Sequence, residues 1–109
     1  LTVVHLQNGF SKDRHEAPPG APIFHKSNAL RYMRAHPETV GQILTHGTWD
    51  YDFVDGLAPC EGDLVIAKSR DSGFAGTSLE SDLRGRDIRT LIVCGIACNV
   101  GVESTIRAA

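Results

Sequence analysis

The turn between an apolar run and a helical pattern near the end of the chain carries its clearest chemical signal. This turn is Gly95-Ile-Ala-Cys-Asn-Val-Gly101. Many α/β enzymes place a nucleophile in such a turn, at the carboxyl end of a parallel strand, and the main-chain N–H groups at the helix start can bind an oxyanion. Gly101 stands where the nucleophile is expected, so the sequence predicts a catalytic scaffold that lacks its reactive atom.

Cys98 and Lys68 are two further candidates for chemistry at the same edge. A thiol near a helix start can have a lowered pKa and become nucleophilic, although a small buried cysteine is the commoner outcome. Lys68 ends the apolar run Asp63–Lys68, where its ammonium could stabilise negative charge or simply extend into solvent. Residue types alone leave both alternatives open.

The segment Gln7-Asn-Gly-Phe10 follows the first apolar run. Asn8 could hydrogen-bond an amide or carboxylate and Phe10 could form a pocket wall, but an Asn-Gly pair is also common in ordinary turns. His5 lies within that run, which favours a core or interface histidine over a base. The five histidines show no ligand spacing, so no metal site is expected. Trp49 is interpreted as a core or subunit-interface anchor.

Alternating strand and helix patterns must position these residues. A Pro- and Gly-containing loop is expected over Gln7–Lys26, a helix capped by Ser27 and stopped by Pro37, and a second helix that begins at Thr77 or Ser78. Such alternation predicts an α/β fold with a parallel sheet and right-handed crossovers. The strands are expected at Leu1–Leu6, at Asp63–Lys68 and from Arg89 or Thr90 to Ile96, and a last helix from Asn99 onward.

Bulk properties limit the functional classes. A chain of 109 residues makes at most one domain, and a net charge of −2 without basic clusters argues against nucleic acid or an anionic membrane as partner. The apolar runs are too short to span a bilayer. Three cysteines are typical of reduced thiols in a cytoplasmic protein.

Several motifs resemble a known family. The segment Lys68-Ser-Arg-Asp-Ser-Gly-Phe-Ala-Gly-Thr-Ser-Leu79, followed by Gly95 to Thr105, is similar to the isochorismatase-like cysteine hydrolase superfamily. Phe24-His-Lys-Ser-Asn-Ala-Leu30 and Gly47-Thr-Trp-Asp-Tyr51 resemble the ureidoacrylate amidohydrolases of pyrimidine degradation. The resemblance implies a Rossmann-like, three-layer α/β/α fold with a parallel sheet, of which residues 1–109 would be the central portion.

The resemblance also implies an Asp-Lys-Cys triad that needs no cofactor, in which the cysteine attacks an amide carbonyl, the aspartate acts as base and the lysine supports the charge. The lysine corresponds to Lys68. The oxyanion-binding backbone corresponds to residues 97–101, beginning at Ala97, where the family often has a cis peptide bond. The implied substrate contacts are Asn8, Phe10, Glu16, Asp71 and Ala97.

The chain departs from the family pattern at the reacting positions. Gly101 occupies the cysteine position, Cys98 the usual threonine position, and Asp71 a position where similar proteins tend to carry an aromatic residue. His5 could stand in for the aspartate of an Asp-x-Gln pattern. We prefer the alignment of Gln7–Phe10 with the second strand of the family and its loop, which leaves that aspartate outside this chain.

Three hypotheses for function follow. The first is hydrolysis of C–N bonds in small amides or ureido acids, with Gly101 at the nucleophile position. The alternative is an inactive homologue that binds a small acid or amide or serves as an assembly partner. A third is glycine-type hydrolysis of a vinyl ether, which also requires the aspartate. An incomplete sheet exposes edges and apolar surface, so we expect a homo-oligomer or a partner that completes the sheet.

Overall fold

The computed structural model describes residues 1–109 and contains two strands and four short α-helices. A 3₁₀ turn, Pro37–Thr39, and a π-helical turn, Cys98–Val102, add to these. No helix combines the length and apolar character that crossing a membrane requires. In chain order the elements are β1 (Val4–Asn8), α1 (Pro22–Lys26), α2 (Asn28–Ala35), β2 (Leu64–Lys68), α3 (Leu79–Gly85) and α4 (Glu103–Ala108).

The two strands form a parallel pair, which confirms the predicted α/β class. Val4 pairs with Leu64 and Asn8 pairs with Lys68. β2 (LVIAK) is rich in β-branched and aliphatic residues, which pack well on a pleated surface, whereas β1 (VHLQN) has only Val4 and Leu6. β1 begins and ends later than predicted, whereas β2 differs from its predicted bounds by one residue. The register brings the carboxyl ends of both strands to the same sheet edge, with Asn8 beside Lys68.

The third predicted strand, Thr90–Ile96, is wrong. Residues 89–96 take part in no backbone hydrogen bond, and Ile92 and Ile96 are 89% and 97% exposed. A strand exists only through hydrogen bonds to a neighbouring strand. The sheet consists of β1 and β2 alone, so this apolar run has the composition of a buried strand but no neighbour to pair with.

The larger core lies between the loop after β1 and α2. Leu30 and Met33 are fully buried there, and Phe10, Ala17 and Phe24 complete the cluster. The Ser27 hydroxyl accepts a hydrogen bond from Leu30 N at 3.3 Å, which caps α2 as predicted. The helix ends at Ala35, before Pro37, also as predicted. The loop expected over Gln7–Lys26 is correct except that Gln7 and Asn8 belong to β1 and the last five residues form α1.

A smaller core joins β2 to α3 through Ile66, Leu79 and Leu83. The predicted helix is confirmed, with Ser78 as the N-cap residue and Thr77 Oγ1 accepting from Leu79 N at 3.2 Å. The packing of Ile66 against Leu79 and Leu83 holds α3 on the sheet. It thereby fixes both ends of the segment that connects β2 to α3.

Residues 40–57 form turns and one isolated bridge, Phe10 with Thr45. Trp49 is 91% exposed, so its interpretation as a core anchor is wrong, and its role at a subunit interface stays a prediction. Hydrogen bonds to Asp50 stabilise this turn, because its carboxylate accepts from Leu44 N and from Thr48 Oγ1. In the resulting loop the Trp49 indole lies in solvent.

Candidate active site

Lys68 lies at the carboxyl end of β2, beside the end of β1. Its ammonium donates to three oxygens: Asn8 Oδ1 at 3.1 Å, the Arg70 carbonyl at 2.7 Å and the Asp71 carbonyl at 3.3 Å. An ammonium has three N–H donors, so these acceptors satisfy all of them. Lys68 therefore does not simply extend into solvent; its positive charge is held at one point of the sheet edge.

The surroundings of Lys68 shift its acidity. Burial lowers the pKa of the ammonium below its usual value, and the negative charge of Asp71 opposes this shift. A cation that is partly removed from water exerts a stronger electrostatic effect on nearby groups than one in bulk solvent. This arrangement suits a residue that stabilises negative charge developing on a substrate.

The loop after β1 is tied to the segment after β2. Arg70 Nη2 donates to the Glu16 carbonyl at 2.6 Å. The Glu16 carboxylate accepts from Ser11 N at 3.0 Å and from Ser11 Oγ at 2.7 Å. Burial raises the pKa of Glu16, but the hydrogen bonds from Ser11 outweigh that effect and keep it below its usual value. Glu16 is therefore a fixed carboxylate on this loop.

The turn before α4 reaches the same edge. The peptide bond between Ile96 and Ala97 is cis, at the position where the resemblance implies one. Thr105 of α4 is buried; its Oγ1 accepts from Gly73 N at 2.9 Å and donates to the Gly101 carbonyl at 2.7 Å. One hydroxyl thus fixes the Gly101 turn against the segment that follows Lys68.

Gly101 faces the Asp71 backbone. A Cβ atom built on Gly101 would lie 3.6 Å from the Asp71 carbonyl oxygen, an ordinary van der Waals contact. That carbonyl is one of the three acceptors of the Lys68 ammonium. There is therefore room for a Cβ at position 101, next to a carbonyl that also contacts the lysine.

A cavity of about 640 Å³ opens beside these groups. Its lining is mostly polar and includes residues from the loop after β1, from the segment after β2 and from α4. This volume lies within the range of small-molecule sites. The charged residues of the lining are Glu16, Arg70 and Asp71, and its hydroxyl-bearing residues include Ser72 and Ser104.

The predicted site residues fall into two groups. Lys68, Asn8, Asp71 and Gly101 meet at the sheet edge, and Glu16 lines the adjoining cavity. Phe10, Ala97 and Cys98 do not take part in that cluster.

Phe10 is 2% exposed and packs in the larger core, so its ring supports the loop from beneath. Ala97 and Cys98 are exposed, and the Cys98 thiol contacts only the Gly95 carbonyl, at 3.9 Å. The catalytic and binding roles of all these residues stay predictions.

His5 is paired away from this site. Its Nε2 lies 3.0 Å from Asp63 Oδ2, and Asp63 precedes the start of β2, whereas Lys68 ends it. The geometry therefore offers no support for His5 as a replacement for a catalytic aspartate beside Lys68.

Two features were missed from the sequence. Arg70 links the two halves of the site, which its spacing of two residues from Lys68 could have suggested. The other feature is a surface cluster of Asp13, His15 and Glu16, whose possible ligand atoms all lie within 4.8 Å of one another.

This surface cluster is accounted for by its own hydrogen bonds. The Ser11 hydroxyl and His15 Nδ1 lie 2.6 and 2.9 Å from Asp13 Oδ1 and hold the pKa of Asp13 well below its usual range. The hydrogen bond with Asp13 raises the pKa of His15.

The whole chain is similar to a known protein family. A model of the isochorismatase domain matches residues 1–109. The chain belongs to the isochorismatase family. Two curated relatives are ureidoacrylate amidohydrolases RutB. That of Azorhizobium caulinodans is 56% identical over 108 residues, covering 98% of this chain and 48% of the relative. That of Rhizobium rhizogenes is 54% identical over 110 residues, covering 100% and 45%.

Solved structures of the isochorismatase family have the same fold. A cysteine hydrolase from Pseudomonas syringae matches with a TM-score of 0.76 at 33% identity, covering 98% of this chain and 44% of that one. An isochorismatase family protein from Desulfovibrio vulgaris matches with a TM-score of 0.77 at 26% identity, covering 98% and 50%. The chain thus spans about half the length of the relatives it matches.

Proposed function

We propose that this chain carries part of the substrate site of a hydrolase that acts on C–N bonds of small amides or ureido acids, with Gly101 at the nucleophile position. The observation that carries the proposal is the convergence of Lys68, Asn8 and the Gly101 turn at one sheet edge. The similarity to ureidoacrylate amidohydrolases supports the ureido class of substrate.

The chemistry assigns one task to each group. A thiolate at position 101 would attack the amide carbonyl, and the C–N bond would break as the leaving nitrogen takes a proton from the acid–base aspartate that the preferred alignment leaves outside this chain. Water would then cleave the thioester and restore the thiol. The fixed Lys68 ammonium would stabilise the negative charge of this reaction. Backbone N–H groups of the turn that begins at Ala97 would bind the oxyanion. Because Gly101 has no thiol, we expect the chain itself to be a very weak amidase at best.

A specific observation favours the alternative of a binding or assembly role. The one thiol near Gly101 belongs to Cys98, and it contacts the Gly95 carbonyl rather than any group of the Lys68 cluster. Without a positioned nucleophile, the cavity can still bind a small acid or amide. Glycine-type hydrolysis of a vinyl ether remains a further hypothesis. It requires the aspartate of the Asp-x-Gln pattern, which the preferred alignment places outside this chain.

The decisive experiment measures ammonia release from ureidoacrylate and a panel of small amides by the chain and by Gly101→Cys. The added Cβ would lie 3.6 Å from the nearest atom of another segment, the Asp71 carbonyl oxygen, and circular dichroism of the variant checks that the fold is retained. We expect release by the variant at least tenfold above the chain itself, since loss of a nucleophile typically lowers rates by about 10⁴–10⁶.

Cys98→Ala is the matched control. Ammonia release by the unmodified chain that Cys98→Ala abolishes would contradict the assignment of Gly101 and identify a relocated nucleophile. No release by either the chain or Gly101→Cys would favour the binding and assembly alternative.

A further inference from the structure

We propose that Arg70 is the specificity-determining residue of the cavity and that it binds the carboxylate of an acidic amide or ureido substrate. This inference rests on the proposed function and names the part of the substrate that lies away from the reacting bond. It begins from the position of the cavity: Asp71 lines it, and the Asp71 carbonyl also contacts Lys68 and faces Gly101. The cavity therefore adjoins the position of the reacting groups through Asp71, although neither Lys68 nor Gly101 lines it.

The guanidinium of Arg70 carries a charge that no carboxylate balances. Its hydrogen bonds go to neutral acceptors: the Glu16 carbonyl at 2.6 Å, the Ser69 carbonyl at 3.2 Å and Ser69 Oγ at 3.1 Å. No carboxylate oxygen lies within 4.0 Å of it, unlike Arg84, Arg89 and Arg107, which all form ion pairs. The carbonyl contacts fix the orientation of the group without neutralising it.

Arg70 also keeps donors for a ligand. A guanidinium has five N–H groups in a planar fork, and the Nε of Arg70 makes no hydrogen bond in the structure. A planar, oriented guanidinium suits a carboxylate better than a neutral group, because charge-assisted pairs are roughly twice as strong as neutral ones. The hydroxyls of Ser72 and Ser104 line the same cavity and can donate to the same anion.

Neither of the two acidic residues of the cavity, Glu16 and Asp71, forms an ion pair with Arg70. The Glu16 carboxylate accepts its hydrogen bonds from Ser11, on the loop side. The charge of Asp71 interacts with Lys68, whose pKa it raises against the effect of burial. Arg70 is the one cationic side chain of the cavity lining, so it is the group to which an anionic ligand would bind.

The test compares an acid with a neutral ligand of the same shape. Dissociation constants of 3-ureidopropionate and of propylurea are measured by titration calorimetry with the 109-residue chain, with Arg70→Gln and with Arg70→Lys. Arg86→Gln is the matched control, because it removes the same charge from an exposed arginine that no ion pair or side-chain hydrogen bond involves and that lies outside the cavity lining.

We expect Arg70→Gln to weaken 3-ureidopropionate binding about tenfold, which is the lower end of the effect for a hydrogen bond to a charged group. Propylurea binding should change less than twofold, Arg70→Lys should give an intermediate loss, and Arg86→Gln should leave both ligands unaffected.

Equal losses for the acid and the neutral ligand would overturn the inference, because they would mean that Arg70 only positions the loop through the Glu16 carbonyl. Unchanged acid binding in Arg70→Gln would overturn it while the proposed function stands. Absence of binding of either ligand to the unmodified chain would overturn both.

Discussion

The segment from Phe10 to Met33 builds a core from its own residues, whereas the segment from Ile88 to Ala109 leaves most of its apolar residues at the surface. The first contains all five buried residues of the larger core. The second buries only Thr105 and exposes Ile92, Ile96 and Ile106 by 89%, 97% and 54%. Both segments have apolar patterns, so the difference comes from the availability of packing partners.

The same contrast holds within the site. Lys68 is held by three hydrogen bonds and by the pairing of β2 with β1. The Gly101 turn is attached to that region mainly through Thr105 and its contact with Gly73. The charge-stabilising half of the site is therefore well supported, whereas the half that would carry the nucleophile depends on few contacts.

The largest expected effect is on core stability. Leu30→Ala should lower the free energy of unfolding by about 2–5 kcal/mol, because it leaves a cavity at a side chain with no exposed surface. Ile92→Ala is the matched control and should change it by less than about 0.5 kcal/mol. Urea denaturation measures both. Similar losses of stability in the two variants would show that residues 88–96 are packed, and would contradict the contrast between this segment and the buried core.

A smaller effect is expected at Glu16, which fixes the loop of the well-packed segment. The folded-state pKa of Glu16 lies below its unfolded value near 4.5, so its carboxylate stabilises the fold above that pH and this stabilisation disappears as the pH falls through the folded pKa. Glu16→Gln should therefore cost about 1 kcal/mol at pH 7, since it removes charged hydrogen bonds with Ser11.

The difference between the chain and Glu16→Gln should shrink as the pH falls below about 4.5, which denaturant titrations over a pH series would measure. Glu61→Gln serves as control, because Glu61 is exposed and its side chain makes no hydrogen bond. A difference that stays constant down to the acid-unfolding range would show that the carboxylate charge of Glu16 contributes nothing to the loop.

The smallest effect on stability, but a clear one on association, is expected at Ile92. An apolar cleft of about 780 Å³ lies open between α3, α4 and the run that contains Leu91 and Val93. Ile92 lies between these two lining residues in the chain but outside the cleft, and its side chain is 89% exposed. Exposed apolar surface of this kind promotes association. We expect the chain to form oligomers, and Ile92→Asp to reduce their mass in light scattering while changing the unfolding free energy by less than about 0.5 kcal/mol. A monodisperse monomer of the unmodified chain would contradict this.

Local patterns were sufficient for much of the fold. The Ser27 cap, the Leu30 and Met33 face and the stop at Pro37 predicted α2 within one residue, because caps and helix breakers act on neighbouring residues. β2 was predicted for a similar reason, from a short β-branched run with turn residues before it. The strand at Thr90–Ile96 failed because composition reports burial potential, while strand formation depends on a partner elsewhere in the molecule.

Some features of the candidate site were likewise predictable from local sequence, and others were not. The sequence by itself determined that Lys68 ends a strand and that position 101 has no side chain, since these facts depend on residue identity and nearby residues. It placed Asn8 in the loop after the first strand, whereas pairing with β2 extends β1 to Asn8. Only the tertiary structure decided that Phe10 lies in the core, that the Cys98 thiol contacts Gly95 instead of the lysine, and that Arg70 joins the Glu16 loop to the strand end. These outcomes depend on contacts between residues far apart in the chain, on the register of two parallel strands and on the direction of each side chain. A local pattern of residue types contains none of this information.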